Sequence, residues 1–256
     1  MVSPAGSRVR RCILDECHEF SLHHPERAAT FRKFGVICAS LGVQCIFLTA
    51  SYPEHLHKVF CKMAHLSPNI PVVRASTDRP MLGYHFLSVD TSKASISEAT
   101  RRLVYSCEAT LRPDERMIVF YKDHGSADSF AKRNRCAVYH SKLPTDGNNT
   151  KGYNLWLWDS GQTKVIAATT ALLQGTDRPY IKYVIFCELP YGEISYHQGG
   201  GRGGRAGEPG YVFVLFPKNT TFIRGYGKKS PKDVQVSILI TSDASDADFI
   251  KSAIAV

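Results

Sequence analysis

The sequence predicts an α/β protein whose strands form parallel sheets with helices on both faces. Three short runs in its second half consist almost entirely of apolar residues: Lys164–Ala168, Tyr183–Cys187 and Tyr211–Phe216. Strands that are apolar on both faces are typical of parallel sheets, because helices cover both sides of such a sheet. Segments of helical composition alternate with the runs at the spacing expected of β-α-β units.

The amino-acid composition indicates which partners the protein could bind and in which cellular compartment it would be found. A length of 256 residues allows one large or two small domains, and 32 Lys and Arg against 23 Asp and Glu give a formal charge of +9. That balance favours a polyanionic partner such as nucleic acid. No apolar run is long enough to span a membrane, and the N-terminus lacks the apolar core of a signal peptide, so we expect a nuclear or cytoplasmic protein. The eight cysteines include no CxxC pair, which indicates core thiols and no zinc site.

Two segments near the N-terminus combine an apolar run with polar residues at its end. Val9–Leu14 predicts a strand that is followed by Asp15, Glu16, Cys17 and His18. Adjacent carboxylates at a strand tip can hold Mg²⁺ through water and orient an attacking water molecule. Gln44–Leu48 predicts a second strand, which ends at Thr49, Ala50 and Ser51; an ordinary turn is the alternative for that segment.

The remaining elements follow from periodicity and capping signals. Ser95 with Glu98 three residues later is a possible capping box, which begins a helix that extends to Leu111. Other predicted helices are Arg27–Leu41, Glu54–Ala64, Gly125–Arg133, a helix carrying Trp156 and Trp158, and a short C-terminal one. Other predicted strands are Pro71–Ala75, Met117–Tyr121, Cys136–His140 and Val234–Ile240.

A glycine-rich segment with two arginines lies between the last two apolar runs of the second half. It contains Gln198, Gly201, Arg202, Gly204 and Arg205. Bare backbone and paired guanidinium groups suit a polyanion such as a nucleoside triphosphate. An RGG-like disordered tract is the alternative, but a buried-type strand follows at once. A dinucleotide-binding GxGxxG loop is excluded, because these glycines do not follow a first strand.

Together these motifs resemble motifs II to VI of superfamily 2 helicases, and most closely the RecQ branch. Leu173 departs from that branch, which usually has glycine there. The matching residues are Asp15 to His18 for motif II, Thr49 to Ser51 for motif III, Met117–Tyr121 for motif IV, Ala168, Thr169, Gly175, Asp177 and Pro179 for motif V, Gln198, Gly201, Arg202, Gly204 and Arg205 for motif VI, and the RecQ signatures Asp78-Arg79-Pro80 and Tyr139, His140 and Leu143.

The resemblance implies a P-loop NTPase (RecA-like) fold. Residues 1–88 would be the C-terminal part of the ATP-binding lobe, residues 89–220 a complete helicase C-terminal lobe, and residues 221–256 a short extension. It also implies ATP and Mg²⁺ as cofactors and single-stranded or partly duplex DNA as partner. The implied activity is 3′–5′ DNA unwinding coupled to ATP hydrolysis, in DNA repair and recombination.

The resemblance also implies a role for each site residue. Asp15 would bind Mg²⁺ through water, Glu16 would activate water, and His18 would relay to the opposite lobe. Thr49 and Ser51 would couple the two lobes, and Gly175 and Asp177 would bind ATP. Gln198, Arg202 and Arg205 would contact the phosphates, with Arg205 as the arginine finger. Thr169, Tyr121 and His140 would contact nucleic acid.

The sequence contains no GxxxxGK[ST] loop. Only fourteen residues precede Asp15. The nearest look-alike is Gly225–Ser230, but the alignment places Phe222 where the first glycine is needed and Lys229 where Ser or Thr is needed. We therefore expect a fragment or a mis-started gene model of a helicase, with no ATPase activity by itself. The alternative is a non-catalytic remnant that binds nucleic acid or a partner.

Overall fold

The computed structural model describes residues 10–20, 33, 36, 37, 40, 42–76, 79–147, 149–173, 177–190, 193–205 and 207–218. The chain divides into two units between residues 78 and 79. The predicted helix Arg27–Leu41 lies mostly outside the described residues, and the predicted strand Val234–Ile240 and C-terminal helix lie wholly outside them. Among the described residues, no helix combines the length and apolarity needed to cross a membrane.

The first unit contains a two-stranded parallel sheet that confirms two predicted strands. Strands β1 (Arg11–Leu14) and β2 (Gln44–Phe47) pair in register along their whole length. Two further backbone bonds extend the pairing: the Leu48 N–H donates to the Leu14 carbonyl at 2.7 Å, and the Cys17 N–H donates to the Leu48 carbonyl at 2.9 Å. The segments that follow the two strands therefore lie side by side.

A short helix packs beneath this sheet. A 3-10 turn (Glu54–Leu56) leads into helix α1 (His57–Met63), as the sequence predicts for Glu54–Ala64. The buried ring of Phe60 contacts Phe47 edge-on, with the ring centroids 5.4 Å apart. The predicted strand Pro71–Ala75 is wrong. That segment has no strand pairing, and the Val73 side chain is 98% exposed, so its apolar residues are not buried in a sheet.

The second unit is built on a six-stranded sheet in which every pairing is parallel, as the apolar runs predict. The spatial order of the strands is β3-β8-β7-β4-β6-β5. Their bounds are β3 Leu82–Val89, β4 Arg116–Phe120, β5 Ala137–Tyr139, β6 Val165–Ala168, β7 Ile181–Cys187 and β8 Gly210–Pro217.

Helices cover both faces of this sheet. Helices α2 (Ile96–Glu108) and α3 (His124–Asn134) pack on one face, where Leu103 and Phe130 are buried. Helices α4 (Lys151–Asp159) and α5 (Glu193–Gly200) pack on the other, where Trp158 and Tyr196 are buried. The arrangement confirms the predicted α/β layers.

Side-chain caps begin three of these helices. The Ser95 hydroxyl accepts a bond from the Glu98 N–H at 3.1 Å, so the predicted cap of α2 is confirmed. The Glu98 carboxylate accepts bonds from Arg101 and Arg102 on the same helix. Asp123 and Thr150 cap α3 and α4 in the same way as Ser95. Each cap satisfies a backbone N–H that the first turn would leave without a partner.

Strand β3 moves the expected boundary between the units. The sequence places that boundary near Val89, but all eight residues of β3 pair with β8, from Leu82 opposite Gly210 to Val89 opposite Pro217. The strand belongs to the second unit because its backbone hydrogen bonds are made there. Its sequence contains Gly83, His85 and Ser88, so it does not read as an apolar run.

The parallel order places the candidate residues at two edges of the sheet. Tyr121, Thr169 and His140 directly follow β4, β6 and β5, and therefore lie at the carboxyl edge. Asp177 precedes β7 and the arginine-rich segment precedes β8, so these lie at the amino edge. The connection from Thr169 to Asp177 thus runs from one edge to the other.

Candidate nucleotide-binding residues

The two carboxylates after β1 are exposed to solvent. Glu16 has a positive φ of 53°, which is uncommon for a residue other than glycine, and its N–H donates to Oδ1 of Asp15 at 2.8 Å. No group of three or more His, Cys, Asp or Glu side chains placed to hold a metal occurs in the part of the chain that the structure describes. A hydrated Mg²⁺ needs only one or two carboxylates, so the pair fits that ion through water.

His18 connects this acidic pair to the predicted coupling residues. Its imidazole is buried, and Nδ1 lies 2.9 Å from Oγ1 of Thr49 and 3.2 Å from Oε2 of Glu16. Oγ1 of Thr49 also accepts a bond from the Ser51 N–H at 3.0 Å. Residues of the two predicted motifs are therefore joined within the first unit, so a shift at Thr49 would reach the Glu16 carboxylate through one imidazole ring.

Cys17 lies inside the same motif without taking part in its chemistry. Its side chain is buried, and burial raises the pKa of the Cys17 thiol to about 11. A thiol that stays protonated at neutral pH is a poor nucleophile and a poor metal ligand. The acidic pair is therefore the reactive part of this turn.

Helix α5 ends in the glycine turn that carries the two arginines, and the sequence did not predict this helix. Gly199 lies against Phe186, where a Cβ would come within 2.6 Å of Cζ, so no larger residue fits there. Gly204 has a φ of +60°, which allows the turn to reverse before β8. Gln198 lies on the last turn of α5, half-buried, directly before this segment.

Arg205 and Asp177 form an ion pair at the amino edge. Nη1 of Arg205 donates to Oδ1 of Asp177, and Nε donates to the Gly201 carbonyl at 3.1 Å. Asp177 is 85% exposed, so its carboxylate holds the guanidinium where solvent reaches both groups. An incoming phosphate could compete for that guanidinium. The structure thus brings together two residues that the resemblance assigns to ATP.

Arg202 is placed differently from this expectation. Its side chain is buried, and Nη2 donates to the Leu173 carbonyl, at the end of the 3-10 turn Thr170–Leu173. The expected phosphate contact is not supported by this placement, because the guanidinium points into the protein and binds backbone. Arg202 instead fixes the connection between the two sheet edges. Gly175, the other expected ATP contact, lies outside the described residues.

Arg79 holds the glycine turn from the opposite side, and the sequence did not identify this role. Its guanidinium donates to three carbonyls, those of Gly201 at 3.4 Å, Gly203 at 2.9 Å and Gly204 at 3.2 Å. The only signal in the sequence is the Asp78-Arg79-Pro80 signature. Because these bonds lie within the second unit, Arg79 positions the backbone that carries Arg205.

The three residues expected to contact nucleic acid are all buried at the carboxyl edge. The Tyr121 ring packs on Phe130, and burial raises the pKa of its hydroxyl far above the usual range. His140 binds Asp128 through Nε2 at 2.9 Å, and the Thr169 N–H donates to the Tyr139 carbonyl at 3.1 Å. Direct contact of their side chains with nucleic acid is not supported by this burial. They instead fix the ends of three adjacent strands.

A cleft of about 380 Å³ opens at the same edge, between the N-terminal part of α2 and the length of α3. Its charges are mixed, since Lys122 lies 3.7 Å from Glu188. The charged side chains that line it are Arg101, Lys122, Asp123, Arg133 and Glu188. Exposed basic groups here could meet phosphates that the buried residues cannot reach.

The sheet, the capped helices and the arginine turn agree with one known domain. Residues 98–207, from α2 to the glycine turn, match the family "Helicase conserved C-terminal domain". The curated relatives that this chain resembles include ATP-dependent RNA and DNA helicases. The matched residues include Asp177, Arg202 and Arg205, so the ion pair at the amino edge lies within the segment that resembles this family.

Curated relatives include helicases for both nucleic acids. The chain is 25% identical over 209 residues to a putative ATP-dependent RNA helicase of Acanthamoeba polyphaga mimivirus, which covers 79% of this chain and 36% of that protein. It is 24% identical over 218 residues to the RecQ-like DNA helicase BLM of Xenopus laevis, which covers 81% of this chain and 15% of that protein. The chain thus spans about a third or less of their length, and the RecQ branch is not singled out.

A solved structure has the same fold. Saccharomyces cerevisiae Dbp5 bound to RNA and ADP BeF3 superposes with a TM-score of 0.62 at 13% identity, over 97% of this chain and 58% of that chain. This likeness concerns the fold alone. It confirms the expected RecA-like parallel sheet of a helicase C-terminal domain.

Proposed function

We propose that this chain is the part of an ATP-dependent nucleic-acid helicase that carries motifs II to VI. The observation that carries the proposal is the exposed pair of Arg205 and Asp177 within the helicase conserved C-terminal domain. A guanidinium held at the surface by one carboxylate can turn to a nucleotide phosphate and stabilise the charge that develops during its transfer.

The other residues divide the chemistry among themselves. Mg²⁺, when bound with ATP, would neutralise the phosphate oxygens, and Asp15 would hold it through water. Glu16 would orient the attacking water, and His18 would keep Glu16 in place through its bond with Thr49. Arg79 and Arg202 act through the backbone: each fixes a loop on one side of Arg205.

A test of ATP hydrolysis requires a phosphate-binding loop. The 256 residues contain no GxxxxGK[ST] sequence, so nothing in them supplies the loop amides and the lysine that retain the phosphates. We expect the chain by itself to show no ATPase activity above background. Joined to a segment with that loop, encoded upstream of Met1 or taken from a matched relative, it should hydrolyse ATP when nucleic acid is added.

Variants of the joined protein then test the roles. Arg205→Ala should lower kcat by roughly 10³-fold or more, since arginine fingers in related reactions are worth about 10³–10⁵. Glu16→Gln should also abolish turnover. Arg102→Ala, on the exposed face of α2, is the control and should leave the rate unchanged. Normal turnover in Arg205→Ala would reject the proposed role of the Arg205–Asp177 pair.

The finer proposal is a RecQ-like 3′–5′ DNA helicase. The Asp78-Arg79-Pro80 signature and Tyr139, His140 and Leu143 support the RecQ branch, while the RNA helicases among the relatives support RNA as the alternative. Anisotropy with DNA and RNA strands of one sequence separates the two. Binding should weaken steeply with salt, by about 0.7 in the log–log slope per phosphate contacted. A flat salt response would contradict binding through phosphates.

A second candidate is a non-catalytic remnant that binds nucleic acid or a partner. The burial of Arg202, Tyr121, Thr169 and His140 favours it, because these side chains are not offered to a ligand. The joined protein decides between the candidates: a remnant would bind nucleic acid yet hydrolyse no ATP.

A further inference from the structure

Helix α4 carries two large aromatic rings on its outer surface. Tyr153 and Trp156 are 49% and 51% exposed, and their rings stack with centroids 5.9 Å apart and planes inclined by 29°. The same helix buries Asn154 and Trp158 against the sheet. The packing of α4 is thus completed by other residues, and folding does not explain the exposed pair.

The charge around the pair suits a polyanion. From Asn149 to Trp158 the only charged residue is Lys151. The next carboxylate, Asp159, is held by Nε of Arg178 at 2.7 Å. A phosphate backbone that passes the two rings would therefore meet no free carboxylate on this helix, and Lys151 would attract it.

The position of the pair connects it to the carboxyl edge of the sheet. Oδ1 of Asn154 accepts a bond from the Val138 N–H at 3.1 Å, which fixes the first turn of α4 beside the end of strand β5. Nε1 of Trp158 donates to the Lys164 carbonyl at 3.3 Å, just before β6, at the other end of the helix. Tyr153 therefore lies on the flank of the sheet, close to the edge where His140 and Thr169 lie.

We propose that Tyr153 and Trp156 form a stacking platform for the bases of single-stranded nucleic acid. The proposal rests on the proposed function, in that nucleic acid is the ligand. Every base has an aromatic face, so such a platform binds without sequence preference, and each stacked base strengthens binding by about five-fold to a hundred-fold. A protein partner fits less well, because a protein interface has an apolar core larger than two rings, and the exposed Gly152 and Ser160 on the same surface add nothing to such a core.

The experiment uses the full chain and a fluorescein-labelled oligothymidylate. Binding is followed by anisotropy, and stacking by quenching of the intrinsic tryptophan emission, to which buried Trp158 responds little. We expect Trp156→Ala and Tyr153→Ala each to weaken binding by at least about five-fold. Tyr105→Ala is the matched control, since Tyr105 is 72% exposed on α2 and should not matter. Circular dichroism checks the fold of each variant.

Two further comparisons separate stacking from charge. Trp156→Phe should abolish the quenching but retain much of the affinity, and an abasic strand of equal length should compete poorly. Equal affinities of Trp156→Ala and Tyr105→Ala, or equal competition by the abasic strand, would overturn the platform. Binding of the oligothymidylate without quenching of the tryptophan emission would also overturn the platform, but it would not contradict the proposed function. Absence of binding to any strand would reject both.

A second copy of the chain is the remaining occupant to test. Sedimentation velocity measures self-association of the wild type and of Trp156→Ala. Self-association that this substitution abolishes, with no quenching by any strand, would assign the rings to a dimer contact and overturn the platform.

Discussion

Nη2 of Arg79 lies 2.9 Å from the carbonyl oxygen of Gly203, although the two residues are 124 positions apart in the sequence. The bond ties the beginning of the second unit to the turn before its last described strand. The guanidinium also binds the carbonyls of Gly201 and Gly204 in that turn. The backbone that carries Arg205 is therefore held in place by Arg79.

Arg79→Ala should therefore destabilise the second unit. A good hydrogen bond to a charged group contributes about 1.5–3 kcal/mol; one of these three is short and two are long, so we expect a loss of at least about 2 kcal/mol in the free energy of unfolding. Arg79→Lys should recover only part of it, since an ammonium cannot bind three carbonyls in one plane. Urea unfolding followed by circular dichroism measures both, with Arg102→Ala as the control. Equal stability of Arg79→Ala and Arg102→Ala would contradict this role.

Thr49→Val tests the connection to His18. The substitution keeps the shape of the side chain and removes the hydroxyl that contacts the buried imidazole at 2.9 Å. Nδ1 of His18 keeps its contact with Oε2 of Glu16 at 3.2 Å, so we expect the loss of this one hydrogen bond to cost about 1 kcal/mol. Hydrogen exchange at the Cys17 and Leu48 amides, which pair the two segments, should speed up accordingly. Ser67→Ala, which removes an exposed bond to Asn69, is the control and should have little effect.

The buried thiol of Cys107 predicts a loss of stability at alkaline pH. Burial raises its pKa to about 12, from an ordinary value of 9.0. The unfolded chain loses the thiol proton above pH 9 while the folded chain keeps it, so stability is full below pH 9 and falls as pH rises towards 12. The stability advantage of wild type over Cys107→Ala should shrink by about 1.4 kcal/mol between pH 8 and pH 10. The advantage over Val104→Ala, a buried neighbour without a titrating group, should not change.

The two units should differ in their protection from hydrogen exchange. Every residue of β6 is buried in the six-stranded sheet, whereas β1 has one neighbouring strand in the part of the chain that the structure describes and leaves Ile13 exposed. A two-stranded sheet is marginally stable by itself. We expect strong protection at residues 165–168 and weak protection at residues 11–14 in the chain as given. Equal strong protection in a soluble monomer would contradict this prediction.

Strands were predictable where they are apolar on both faces. Runs such as Tyr183–Cys187 need no partner to be recognised, because a buried parallel strand excludes polar side chains at every position. Strand β3 escaped this criterion, since His85 and Ser88 interrupt it. Pro71–Ala75 formed no strand: its apolar residues are interrupted by Arg74, and Val73 is 98% exposed, so a short β-type run did not by itself ensure pairing with a neighbouring strand.

The sequence predicted which residues make up the candidate site, but not which of their side chains are exposed to solvent. The resemblance assigns Asp177 and Arg205 to one nucleotide, and the structure pairs their side chains. It gives both Arg202 and Arg205 a phosphate contact, since both are arginines in one glycine-rich turn. The difference arises because Leu173 presents its carbonyl to one of them and solvent surrounds the other.

The sequence by itself determined the α/β class and the parallel pairing, because these follow from local patterns of apolar and polar residues, and it contains the motifs that resemble those of helicases. Only the tertiary structure decided which polar groups reach solvent. Arg79 binds backbone carbonyls of the glycine turn, Tyr121 and His140 are buried, and Trp156 is exposed. The physical reason is that burial depends on contacts between residues far apart in the chain, and local patterns do not contain those distances.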